Sequence, residues 1–170
     1  MRIALAGNPN SGKTTMYNAL TGQNEKVGNW AGVTVEKKEA KLKKTYNKTN
    51  DEIIIIDLPG AYSITPYTSE ESITSSYIKE TSLDVIINIV DSTNLSRSLF
   101  FTTQLLELDI PVVVALNKAD INEKKHTIID TVKLSEILKC PVVNTISSNK
   151  KGLRSLIDKA VEVVKKGNDR

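Results

Sequence analysis

The sequence predicts a three-layer α/β domain, built on a six-stranded, mostly parallel sheet with about five helices. Three observations carry that expectation. Short apolar runs read as strands buried on both faces: Ile3-Ala4-Leu5-Ala6, the four isoleucines Ile53 to Ile56, Val85 to Val90, and Val112 to Leu116. Segments with apolar residues at helical spacing alternate with them, the pattern of crossovers between parallel strands. The polar, motif-bearing stretches all fall where a strand ends, which is the ligand-binding edge of such a sheet.

The first strand, Arg2 to Ala6, runs into Gly7-Asn8-Pro9-Asn10-Ser11-Gly12-Lys13-Thr14, followed by a helix from Gly12 to about Leu20 with Tyr17, Ala19 and Leu20 toward the core. This is the G-x-x-x-x-G-K-[ST] phosphate-binding loop, in the strand-to-helix context the motif requires. Glycines let backbone N–H groups curl around a β-phosphate, and the helix aims its positive end at the same anion. Candidate nucleotide contacts are therefore Asn8, Asn10, Ser11, Gly12, Lys13, Thr14 and Thr15. Lys13 would place charge near the β- and γ-phosphates, and the Thr14 hydroxyl would ligate Mg²⁺.

From Thr21 to Thr34 the periodicity stops, and Trp30 reads as exposed. A long structureless loop in a compact domain is either functional or a mobile linker. After a P-loop helix, the functional reading is a nucleotide-sensing switch, in which Gly32, Val33 and Thr34 approach the γ-phosphate and Thr34 closes onto Mg²⁺. Val35 to Tyr46 then reads as one long, lysine-rich strand. Its lysines suit an exposed edge protected against sheet-to-sheet association, or a contact with an acidic partner or anionic membrane surface.

Glu52 to Ile56 is a buried strand ending in Asp57-Leu58-Pro59-Gly60. A carboxylate there is suited to hold Mg²⁺ through water, and Gly60 offers a backbone N–H to the γ-phosphate. Ala61 to Thr68 is a second candidate switch. Ser69 reads as the cap of a helix to about Glu80, with Glu70 and Glu71 suiting the helix dipole.

After a strand over Asp84 to Asp91 and a helix over Leu95 to Asp109, the strand from Pro111 to Leu116 delivers Asn117-Lys118-Ala119-Asp120. In an N-K-x-D site the aspartate accepts two hydrogen bonds from guanine N1–H and its exocyclic amine, while the lysine stem packs along the base. Adenine lacks that donor pair, and a buried carboxylate left unpaired costs ~1–3 kcal/mol or more. A charged connector containing His126, a short helix over Thr131 to Leu138 and a strand over Pro141 to Ile146 lead to Ser147-Ser148-Asn149, placed to present a backbone N–H to guanine O6. Leu153, Leu156, Ile157, Ala160, Val161 and Val164 then mark a core-facing helix.

Composition narrows the partners. The 170 residues fit one domain, 1–170, and the net charge of +3 is too small to argue for nucleic acid. The basic excess is local: between Glu36 and Lys48 six lysines stand against two glutamates. Cys140 is the only cysteine and His126 the only histidine, which points to a reducing compartment and to no metal cluster. No run approaches the ~20 apolar residues of a membrane span, so the chain reads as soluble and cytoplasmic.

The boxes, in this order, look like a Ras-like P-loop GTPase domain. Several stretches narrow the resemblance: Gly7 to Thr14, Val27-Gly28-Asn29-Trp30-Ala31-Gly32-Val33-Thr34-Val35-Glu36, Asp57-Leu58-Pro59-Gly60-Ala61-Tyr62-Ser63, Pro66 to Glu71, Asp91 to Leu99, and Gln104 to Pro111. Over nearly its whole length the chain resembles the N-terminal cytosolic G domain of the FeoB-type bacterial ferrous iron transporters. It departs from that pattern at Lys118, where methionine is frequent, at Ser98, where asparagine is common, and at Ser148, where alanine is usual.

The resemblance implies a GTP-binding, GTP-hydrolysing regulatory domain at the cytoplasmic face of the inner membrane, continued in the parent by helical regulatory and membrane domains absent here. FeoA is a further candidate partner. The alternatives are a ribosome- or tRNA-associated GTPase, and a non-catalytic nucleotide-dependent interaction module. Catalytic contacts would come from Lys13, Thr34, Gly60 and Asn10. Where Ras-type proteins keep a water-orienting glutamine this chain has Ala61, so turnover is slow or backbone groups orient the water. No arginine finger is apparent, and the motif order puts Arg97 on a distant helix. The Asn10 side-chain oxygen either bonds within its own turn or, as in potassium-activated relatives of this group, ligates K⁺ with backbone carbonyls of Gly28 and Trp30.

Overall fold

The structure is a computed structural model that describes residues 1–22, 26–30 and 35–168. Its strands are β1 (Arg2–Gly7), β2 (Lys26–Asn29), β3 (Glu36–Lys41), β4 (Ile54–Asp57), β5 (Val85–Asp91), β6 (Val112–Asn117) and β7 (Val142–Asn144). The helices are α1 (Lys13–Leu20), α2 (Ser69–Glu80), α3 (Leu95–Leu106), α4 (Ala119–Lys124), α5 (Thr131–Leu138) and α6 (Leu153–Asn168). One sheet in the order β2-β3-β4-β1-β5-β6-β7 contains all seven described strands. It is parallel from β4 to β7, while β3 runs antiparallel to both neighbours.

Alternation along β1 divides the core. Ile3 and Leu5 pack with Met16, Tyr17 and Leu20 of α1 and with Leu153, Leu156 and Ile157 of α6. Ala4 and Ala6 face the other way, against Ile78 of α2 and Phe101 and Leu105 of α3. With both faces covered, the central parallel strands β1, β4, β5 and β6 are mostly apolar, and their carboxyl ends share one edge.

The lysine-rich segment differs from its expectation in two ways. Its strand is only β3, and it lies inside the sheet because β2 covers it as the edge. The registers Val27↔Lys38 and Gly28↔Lys37 define that pairing. A four-residue strand containing glycine has no period to read, and it exists through its partner. Two of the β3 lysines pair within the strand, Lys37 with Glu39 at 3.2 Å and Lys38 with Glu36 at 3.4 Å, and Lys41 pairs with Glu52.

Two further differences concern helices. α4 replaces part of the expected connector, starting from Lys118 in the left-handed region at φ 63°. The cap of α2 is Thr68, whose hydroxyl accepts the Glu71 amide at 3.1 Å, and not Ser69. Among the described residues no helix is long and apolar enough to cross a membrane.

Candidate nucleotide site

The P-loop closes by a turn in which the Ser11 amide donates to the Asn8 carbonyl at 3.1 Å. Its backbone passes through positive φ at Asn10 (65°) and Gly12 (93°). Gly12 is required twice: an L side chain is strained at that φ, and a Cβ would collide with Nδ2 of Asn117. No side chain caps α1, so the first-turn amides stay open toward a cavity of about 650 Å³. Asn8, Asn10, Gly12, Lys13, Thr14 and Thr15 line this cavity, and Gly60, Tyr62, Thr68, Glu70 and Glu71 face them. Ser11 is buried, as is Asn8, whose Oδ1 has no hydrogen-bond partner among the described residues.

Asp57 ends β4 beside Leu5 of β1, and its carboxylate contacts the Lys13 ammonium. Gly60 lies against the P-loop, where a Cβ would be 3.2 Å from the Pro9 nitrogen. The next amide, Ala61, donates to the Gly7 carbonyl at 3.1 Å, and Ala61 is buried. The Thr14 hydroxyl and Asp57 carboxylate are hard oxygen donors of the kind suited to Mg²⁺.

At the other end, the buried Asn117 ties three loops together. Its Nδ2 donates to the Ser11 carbonyl at 3.0 Å. Its Oδ1 accepts from the Ser147 amide at 3.1 Å, the Ser147 hydroxyl at 3.0 Å and the Thr145 hydroxyl at 3.2 Å. Lys118 reaches across the P-loop, donating to the Asn10 carbonyl and to Oδ2 of Asp91, each at 2.7 Å. Burial pushes the Asp91 carboxyl up, but the hydrogen bonds from Lys118 and Thr93 outweigh it and leave the group below its usual range. Asp120 sits half-buried in the first turn of α4, while Ser148 and Asn149 are exposed in a 3₁₀ turn over Ser147–Asn149. That turn returns through Gly152, at φ 79°, where a Cβ would collide with the Asn144 carbonyl. Ser147 thus acts as scaffold.

The second switch segment is fastened at several points. Glu71, only 5 % exposed, accepts the Tyr62 amide on Oε1 and the Tyr67 amide on Oε2, both at 3.0 Å. Burial alone would raise its pKa, but these amides, with those of Thr68 and Ser63, hold it below the usual carboxylate range. The Thr74 hydroxyl donates to the Pro59 carbonyl at 3.0 Å, and the Ile64 amide donates to Oε1 of Gln104 at 2.8 Å. Arg97 is nearer than the motif order implies: its guanidinium lies 4.5 Å over the Tyr62 ring.

Gly32, Val33 and Thr34 lie outside the described residues. Trp30 is not exposed as its loop context implies. It is 6 % exposed, edge-on to Tyr77 of α2 at 4.7 Å, with the Lys37 ammonium 5.1 Å over its ring. Trp30 lines a second cavity with Lys37, Tyr67 and Tyr77, whereas Asn10 lines the phosphate cavity. Of the three candidate K⁺ contacts, Asn10 and Trp30 therefore line different cavities, and Gly28 is a β2 residue paired with Lys37.

Asp91, Thr145, Glu71 and Gln104 are site residues that motif reading passes over. For Asp91 a signal existed, since it ends the apolar run Val85 to Val90 as Asp57 ends the run Ile53 to Ile56. The others act through hydrogen bonds that leave no sequence period.

A family model described as Ferrous iron transport protein B matches residues 1–160. The chain belongs to that family. Over 160 residues it is 48% identical to the Fe(2+) transporter FeoB of Salmonella typhimurium and 47% identical to that of Escherichia coli K12. These alignments cover 92% of this chain and 20% of each relative, so the chain spans about a fifth of the length of the curated FeoB proteins it matches. Among solved structures, a GDP-bound mutant of the S. thermophilus FeoB G-domain matches with a TM-score of 0.88 at 48% identity, covering 94% of this chain and 60% of that one. The cytosolic domain of T. maritima FeoB in its GMPPNP form matches with a TM-score of 0.90 at 39% identity, covering 96% and 64%. The fold is that of a FeoB N-terminal G domain, Ras-like and three-layered, with one more strand and one more helix than the sequence predicts.

Proposed function

We propose that this chain binds and hydrolyses GTP as the regulatory G domain of a ferrous iron transporter. The observation that supports it most is the Asn117 clasp, which sets the phosphate loop, the Asp120 segment and the Ser147–Asn149 turn around one site. FeoB relatives solved with GDP and GMPPNP support the same ligand class.

The first-turn amides of α1 and the Lys13 ammonium hold the β- and γ-phosphates, and the Gly60 amide faces the γ-phosphate. Thr14, Thr34 and Asp57 would hold Mg²⁺, which would supply positive charge to the phosphate oxygens. Water oxygen bonds to the γ-phosphorus as the bond to the β–γ bridging oxygen breaks, giving GDP and inorganic phosphate. Ala61 offers neither side chain nor free amide to that water, so turnover is slow, with Thr34 and Gly60 orienting it through the backbone. Asn10 would help hold a K⁺ ion, whose charge would stand in for an arginine finger. The domain lies at the cytoplasmic face of the membrane, beside a helical regulatory domain and the membrane domain of the parent polypeptide that carries iron, with FeoA a candidate partner.

Calorimetric titration with GDP and ADP, together with single-turnover phosphate release from GTP, tests this reading. GDP binding without ADP binding, and phosphate release dependent on Mg²⁺, is expected. Equal affinity for the two nucleotides, or no phosphate released, would overturn it.

A further inference from the structure

We infer that Gln104 of α3 is a positioning residue, holding the second switch segment in register over the phosphate cavity. The segment from Gly60 to Ile64 is fixed at its start by the Ala61 amide on the Gly7 carbonyl and at its end by the Ile64 amide on Oε1 of Gln104. Tyr62, between them, lines the phosphate cavity. Arg97 lies seven residues before Gln104, on the same face of α3, and covers the Tyr62 ring. One helix therefore grips the segment twice, by an amide and by a ring.

α3 is itself indexed to the P-loop. The Thr102 hydroxyl donates to Oδ1 of Asn88 on β5 at 2.6 Å, and Asn88 Nδ2 donates to the Ala6 carbonyl at 3.4 Å, one residue before Gly7. Asn88 and Thr102 are both buried. Buried polar pairs in a parallel sheet are costly unless satisfied, and this pair satisfies itself while joining the root of the P-loop to α3. A continuous path thus runs from Ala6 through Asn88 and Thr102 to Gln104 and Ile64. It sets where Gly60 and Tyr62 stand relative to the phosphates.

This inference rests on the proposed hydrolysis for its rate consequence, and on amide exchange for its structural one. The test compares Gln104→Met, which keeps the length of the side chain and removes the acceptor, with Gln104→Glu, which keeps an acceptor. In Gln104→Met, exchange of the Ile64 amide, read by NMR, should accelerate about tenfold. Single-turnover GTP hydrolysis should fall about three- to tenfold, the share of a barrier carried by one backbone hydrogen bond. GDP affinity should stay within about twofold in both variants, and Gln104→Glu should restore exchange and rate. Unchanged Ile64 exchange in Gln104→Met would overturn the inference. So would equal losses of rate, GDP affinity and thermal stability in both variants, which mark a merely structural side chain. If the wild-type chain releases no phosphate, the functional reading fails and Ile64 exchange still decides the role of Gln104.

Discussion

Asn117 and Ser11, 106 residues apart in sequence, are joined by a 3.0 Å hydrogen bond from the Asn117 amide to the Ser11 carbonyl. The other end of the same side chain accepts three hydrogen bonds from Thr145 and Ser147. One side chain therefore couples the two loops.

Replacing Asn117 with alanine should leave the buried Ser11 carbonyl and Ser147 amide without their partner. An unsatisfied buried group costs ~1–3 kcal/mol, and each kcal/mol lowers Tm by about 2–4 °C in a domain of this size. GDP affinity should fall about tenfold or more, because both walls of the site loosen together. Calorimetry and thermal melts check this, and unchanged GDP affinity would speak against the clasp.

Trp30, the only tryptophan, packs edge-on to Tyr77 and precedes the segment that carries Thr34. Its fluorescence should differ between GDP and a non-hydrolysable GTP analogue, and Thr34→Ala should abolish the difference. Tyr77→Ala should shift emission to longer wavelength in every state by exposing the indole. Identical spectra in all nucleotide states would count against a switch at this position.

Acid sensitivity should trace to Glu71 and Asp91, whose folded pKa values lie below their ordinary 4.5 and 3.8. A depressed carboxylate contributes stability that is present above the unfolded value and lost as pH falls through the folded one. Unfolding free energy should therefore decline as pH drops below about 4.5, and Glu71→Gln should flatten the part of that decline it contributes. Denaturant titrations between pH 3 and pH 7 give the slope. An unaltered slope in Glu71→Gln would remove it from the account.

Potassium dependence follows from the role given to Asn10. GTP hydrolysis should be faster in potassium than in sodium or a bulky organic cation, by an amount approaching the ~10³-fold effect of a true arginine finger. Asn10→Ala should erase the difference. Equal rates in the three salts, or a variant that still responds to potassium, would remove the ion from the mechanism.

Much of this site is legible in the sequence because its chemistry demands particular residues at particular spacings. Gly7 to Thr14, Asp57 to Gly60, and Asn117 to Asp120 each follow an apolar run, and each run is a strand whose carboxyl end meets the others at one edge. The long-range fastenings are not legible. β2 is too short to show a period, and Trp30 is buried by residues distant in sequence. Glu71 reads as an ordinary first-turn acid, though its carboxylate spans two loop amides. Gln104 and Arg97 sit on a helix with no nucleotide motif, and only tertiary packing brings them to Ile64 and Tyr62. Hydrogen bonds from side chain to loop backbone depend on where the chain returns, which local pattern does not encode.

Guanine recognition is proposed to rest on Asp120, its carboxylate taking the two donors that adenine does not present together. Competition binding of GTP against xanthosine triphosphate, in the wild type and in Asp120→Asn, tests it most directly. The wild type should strongly prefer GTP, and the variant should lose GTP affinity and turn to xanthosine triphosphate. An Asp120→Asn protein that kept the wild-type preference for GTP would contradict it.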